Sequence, residues 1–96
     1  MEPALGIDDR VVVLHEGVTR IGRSITADIE LEDITVSRRH ALIVREDGEP
    51  LLLDDGSRNG TWLNGARIAR AVLRDGDTIV VGTAQLRYAV AALIAA

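Results

Sequence analysis

A chain of 96 residues, 47% of them hydrophobic, holds one domain with a single core. Its formal charge of −4 and its lack of cysteine exclude a polycation that coats nucleic-acid phosphates, a disulfide framework and a thiolate metal site. Aromatic residues supply only 2% of the chain, so the core is aliphatic and no ladder of stacking rings serves single-stranded nucleic acid.

Residues 1–10 read as a short polar lead-in without the apolar run of a signal peptide. The β-branched stretch Arg10 to His15 predicts a strand, Glu16-Gly17 a turn, and Val18 to Ile21 its hairpin partner. From Ser24 to Thr35 the pattern is irregular and acidic, with a short strand expected near Ile29 to Leu31. Arg39 to Arg45 is the next strand, then an Asp47-Gly48 turn and Leu51 to Asp54.

Asp55 to Gly65 is dense in turn formers, and Thr61-Trp62-Leu63 lies between Asn59-Gly60 and Asn64-Gly65 as a very short strand. Arg67 to Val72 continues extended, and Thr78 to Val81 with Gln85 to Val90 predicts a closing hairpin around Gly82. The apolar end, residues 91–96, is far too short for the roughly 20 residues of a membrane span. Short runs, frequent turn signals and no 3.6-residue periodicity define an all-β sandwich occupying residues 11–90.

Three polar loops interrupt the apolar strands: Gly22-Arg23-Ser24, Ser37-Arg38-Arg39-His40, and Ser57-Arg58-Asn59-Gly60-Thr61. Alternate connections of a sandwich emerge at the same end, so these loops can converge. Together they offer guanidinium forks, hydroxyls and loop amides, the donors that hold an oxyanion by charge-assisted hydrogen bonds. Val36 to His40 is the centre of the set.

Simpler readings stand beside this one. Gly22, Gly60 and Gly65 can serve turn geometry alone, and a lone histidine before a core strand suits a buried hydrogen-bonding role. Arg39, Arg45, Arg67, Arg70, Arg74 and Arg87 read as solvated charges. Ser37 and His40 invite a nucleophile and base, but their spacing points them apart and no third residue orients the pair. His15 and His40 lack any metal-ligand spacing, and no metal or other cofactor is expected.

Gly22-Arg23, Ser37-x-x-His40, Asn59-Gly60-Thr61 and Asn64-Gly65, in this order, resemble the signature of the bacterial forkhead-associated (FHA) domain, from about Val11 to about Val90. The resemblance implies a two-sheet β-sandwich of about eleven strands whose loops at one end bind phosphothreonine peptides. By position it assigns Arg23, the hydroxyl and amide of Ser37, and Arg38 to the phosphate. It assigns Asn59 to the peptide main chain, places Arg58 at the groove, and makes Thr35 a position that selects the residue three places beyond the phosphothreonine. Gly22, His40, Gly60, Thr61, Asn64 and Gly65 would support the loops.

Ile34 stands where the commoner bacterial form has proline. Residues 1–10 hold no threonine or serine, so that segment cannot supply the phosphorylated tail that folds back in some short relatives. The function expected is a non-catalytic, cytoplasmic module, monomeric in isolation, that docks phosphothreonine proteins in Ser/Thr kinase signalling without contacting nucleic acid or membrane. The alternative is a structural or oligomerising FHA module whose phosphate pocket is idle.

Overall fold

The computed structural model describes residues 2–90. Eleven strands follow in order: β1 (Pro3–Ile7), β2 (Arg10–Val13), β3 (Gly17–Gly22), β4 (Ile29–Glu30), β5 (Ala41–Arg45), β6 (Leu51–Asp54), β7 (Thr61–Leu63), β8 (Ala66–Ile68), β9 (Arg70–Val72), β10 (Thr78–Val81) and β11 (Ala84–Val90). They form a six-stranded sheet, β2-β1-β11-β10-β7-β8, and a five-stranded sheet, β4-β3-β5-β6-β9. The all-β sandwich expected from the sequence is the observed fold.

Alternation along the strands explains how the two sheets face one another. Ile43 of β5 and Leu52 of β6 pair across their antiparallel register and are fully buried. From the opposite sheet Leu5, Ile79 and Leu86 meet them, each with no exposed surface. Burying each such side chain contributes about 1.5–3 kcal/mol, enough for an aliphatic core to hold a domain this small. Tyr88 joins the core, whereas Trp62 remains outside it.

Several local expectations are corrected. The segment read as a polar lead-in contains β1, which lies between β2 and β11 with Ala4, Leu5 and Ile7 buried. Its alternation is interrupted by Gly6 and flanked by acids, which hides a strand of only five residues. Glu16-Gly17 does not close a hairpin, because β2 and β3 belong to different sheets. The buried Leu14 anchors the crossing and Gly17 turns it with φ at 100°.

Arg67 to Val72 is likewise two strands, β8 and β9, one in each sheet. Arg45 is no solvated charge: its Nη1 donates to the Leu14 carbonyl at 3.0 Å and pairs with Glu2 at 3.4 Å, clipping β5 to the end of β2. Asn64 and Gly65 both have positive φ, 49° and 88°, and form the two-residue turn between β7 and β8. Residues 91–96, expected as an apolar end, lie outside the described residues.

Candidate functional site

The three arginine loops are joined at Ser37. Immediately after β3, the Arg23 amide donates to the Ser37 carbonyl at 3.0 Å and the Ser24 amide to the Arg38 carbonyl at 3.3 Å. From the third loop, the Arg58 amide donates to Ser37 Oγ at 2.9 Å. The side chain of Arg23 is steadied as well, its Nε donating to the Val36 carbonyl at 3.0 Å.

Gly22 makes the first junction possible by close approach rather than by turning. Its φ is not positive, but a Cβ there would fall onto the Arg38 carbonyl oxygen and lie 2.8 Å from its carbonyl carbon. At Gly60 both reasons hold, since φ is 87° and a Cβ would sit 2.9 Å from Arg67 Cζ. Arg67 passes beside this loop while remaining exposed, in keeping with the solvated charge expected of it.

His40 is wholly buried beneath the site. Its Nδ1 lies 3.0 Å from the Ser37 amide, which can only donate, so that ring nitrogen carries no proton. Nε2 then donates to the Gly60 carbonyl at 2.8 Å. The imidazole thus spans two loops, and the Ser37 amide expected to meet the phosphate is donated inward to it. No hydrogen bond joins the ring to Ser37 Oγ among the described residues, so the nucleophile and base reading has no geometry behind it.

Asp54, at the end of β6, shapes the third loop. Its Oδ1 accepts the hydroxyls of Ser57 at 2.5 Å and of buried Thr61 at 2.7 Å, and Oδ2 accepts the Ser57 amide at 3.2 Å. Ser57 Oγ in turn accepts the Gly60 amide at 2.9 Å. Burial pushes the Asp54 carboxyl up, yet the hydrogen bonds from Ser57 and Thr61 outweigh it and hold the group below the ordinary aspartate range.

Asn59, exposed on that loop, donates from Nδ2 to the Thr35 carbonyl at 2.9 Å. This fixes which way the amide faces and leaves Oδ1 and the second N–H without a hydrogen bond among the described residues. Thr35 reaches the site through its carbonyl. Its hydroxyl donates to Asp33 Oδ1 at 2.5 Å and accepts the Thr83 amide at 2.9 Å.

Among the described residues Arg23, Arg38 and Arg58 form no ion pair, whereas Arg39 is held by Asp55 at 3.3 Å. Asn64 and Gly65 do not join the site. They lie at the far end of β7, where Asn64 Oδ1 accepts the Thr78 amide at 2.9 Å and Nδ2 donates to Asp77 at 2.9 Å. A cleft of about 660 Å³ lined by Asp8, Glu30, Glu32 and Asp33 against the single cation Arg10 has the wrong charge for an anion. Sequence reasoning missed Asp54, Asp33 and Thr83. The spacing Asp54-x-x-Ser57 is a readable turn signal, while Thr83 carries none.

The FHA domain family model matches residues 19–82. This chain belongs to the FHA family. The FHA domain is 43% identical over 76 residues to the glycogen accumulation regulator GarA of Mycolicibacterium smegmatis, covering 79% of this chain and 48% of that protein. It is 41% identical over 76 residues to the ABC transporter ATP-binding/permease protein Rv1747 of Mycobacterium tuberculosis, covering 79% of this chain and 9% of that protein. The chain therefore spans half or less of these curated relatives.

Among solved structures, the FHA domain of FhaA in complex with the intracellular domain of Rv3910 superimposes with a TM-score of 0.86 at 38% identity, over 90% of this chain and 98% of that one. EmbR of Mycobacterium tuberculosis in complex with a low-affinity phosphopeptide gives a TM-score of 0.89 at 32% identity, over 93% of this chain and 24% of that one.

Proposed function

We propose that this FHA domain is a non-catalytic reader of phosphothreonine peptides that docks partners phosphorylated by Ser/Thr kinases in the cytoplasm of a bacterial cell. The observation that carries this reading is the tying of the other two arginine loops to Ser37, through its carbonyl and its hydroxyl, while its amide donates to His40 of its own loop. Ser37 Oγ, having accepted from Arg58, keeps its own proton to donate. The backbones of Arg23 and Arg58 are tied to this serine and Arg38 follows it in the chain, and none of the three forms an ion pair among the described residues. A phosphate of one to two negative charges meets these as charge-assisted donors, each worth about 1.5–3 kcal/mol.

Asn59 would grip the peptide main chain beside the phosphothreonine, reading position without reading sequence. EmbR was solved with a phosphopeptide and FhaA with a protein domain, which supports a binding role for this fold. An extended segment that orders on binding gives an affinity on the order of micromolar.

The test is calorimetric titration of a phosphothreonine peptide library and its unphosphorylated counterparts. Phosphate-dependent binding that falls at least tenfold in Arg23→Ala is expected. Binding indifferent to the phosphate, or to Arg23, would defeat the proposal and leave a structural module in its place.

A further inference from the structure

Asn59 has one side-chain anchor among the described residues, the Thr35 carbonyl, so whatever fixes Thr35 also fixes Asn59. Asp33 accepts both the amide and the hydroxyl of Thr35 on Oδ1, at 2.8 and 2.5 Å. Its Oδ2 accepts the hydroxyl of Thr83, in the turn between β10 and β11. The Thr83 amide closes the ring of contacts by donating to Thr35 Oγ1 at 2.9 Å. Gly82 backs this arrangement: φ is 59°, and a Cβ there would lie 2.8 Å from the Thr35 carbonyl carbon. Thr35 is thus clamped from two sides, by its own loop and by a turn distant in sequence.

We propose that Asp33 and Thr83 are positioning residues for Asn59, holding the Thr35 carbonyl where it orients the amide that takes the peptide main chain. This rests on the phosphopeptide reading of the site. An exposed asparagine released from its anchor samples several rotamers. Selecting one again on binding weakens a complex by about three- to tenfold. The side chains of Asp33 and Thr83 make no hydrogen bond to Arg23, Ser37, Arg38 or Arg58 among the described residues, so their effect is expected to run through Asn59. Both oxygens of the Asp33 carboxylate are engaged by hydroxyl and amide donors of Thr35 and Thr83.

The experiment is a double-mutant cycle, which isolates coupling between two sites. Dissociation constants for one phosphothreonine peptide are measured for the wild type, Thr83→Val, Thr83→Ser, Asp33→Ala and Asn59→Ala, and for Thr83→Val and Asp33→Ala each combined with Asn59→Ala. Thr83→Val keeps shape and backbone, so it guards against a misfolded Asp33→Ala. Expected are three- to tenfold losses in Thr83→Val and Asp33→Ala, recovery in Thr83→Ser, and no added loss in the Asn59→Ala background.

Full losses persisting in the Asn59→Ala background, or no loss in Thr83→Val, would overturn the positioning role. The unliganded protein gives a second readout. The Asn59 side-chain NH₂ should exchange slowly in the wild type and Thr83→Ser and rapidly in Thr83→Val, and equal rates in all three would count against the proposal. Absence of any phosphate-dependent binding by the wild type strikes the phosphopeptide reading instead, and the exchange rates still decide whether Asn59 is held in this way.

Discussion

His40 Nδ1 lies 3.0 Å from the amide nitrogen of Ser37, and the opposite corner of the same ring lies 2.8 Å from the Gly60 carbonyl oxygen. One buried side chain therefore satisfies a donor on one binding loop and an acceptor on another. His40→Phe keeps the ring but leaves both groups buried without partners, at about 1–3 kcal/mol each. Thermal unfolding should fall by about 10–25 °C, and phosphopeptide affinity should fall with it. Ser37→Ala, by contrast, should lose affinity with a much smaller change in unfolding temperature.

Gly22→Ala should be more damaging than its chemistry suggests. The added methyl would land on the Arg38 carbonyl, where backbone must move to admit it. A destabilisation of about 3 kcal/mol is expected, with loss of peptide binding because Arg23 and Ser37 separate. Gly65→Ala meets no neighbour and has only its positive φ to resist it, costing about 1–2 kcal/mol. Its turn lies at the far end of β7, so titration should show binding intact.

Acid should loosen the site from the loops inward. The Asp33 carboxyl is held below its ordinary value of 3.8 by hydrogen bonds from Thr35 and Thr83. That of Asp54 is also held low, by Ser57 and Thr61 against the upward push of burial. For both, the unfolded chain binds the proton more readily, so their stabilisation is complete above the ordinary value and lost as pH falls through the folded one. Denaturant midpoints should be level in this respect from neutrality to about pH 4 and decline below it. In Asp54→Asn the decline should be shallower.

The two neighbouring arginines of the central loop should behave differently. Arg39 is exposed and paired with Asp55, an arrangement worth about 0–1 kcal/mol, and Arg39→Ala should change peptide affinity less than about twofold. Arg38→Ala should weaken it about tenfold, in keeping with a charge-assisted contact. Repeating both titrations at high salt should narrow the difference, since these groups are reached by solvent.

The sandwich was legible because short apolar runs without helical periodicity have turn formers between them, as at Asp47-Gly48 and Asn64-Gly65. β1 was not, since five residues broken by a glycine make a weak period. The assignment of β2 and β3 to separate sheets was also hidden, because a turn signal states that the chain reverses and not which sheet receives it. At the site, residue types identified Arg23, Ser37, Asn59 and His40 as one group. Hydrogen-bond direction was invisible to them: only coordinates show the Ser37 amide facing His40, or the Thr35 hydroxyl spent on Asp33. Thr83 lay beyond reach, since nothing in a sequence announces that two distant turns will touch.

The junction at Ser37 has an electrostatic consequence. Arg23 and Arg58 spring from backbones tied to one serine, and Arg38 follows it in the chain. The loops cannot drift apart to relieve repulsion among three like charges, and under the proposed function a bound dianion would supply their counter-charge. Sulfate or inorganic phosphate at millimolar concentration should therefore raise the unfolding temperature of the wild type, by preferential binding to the folded state, and raise it less in Arg23→Ala.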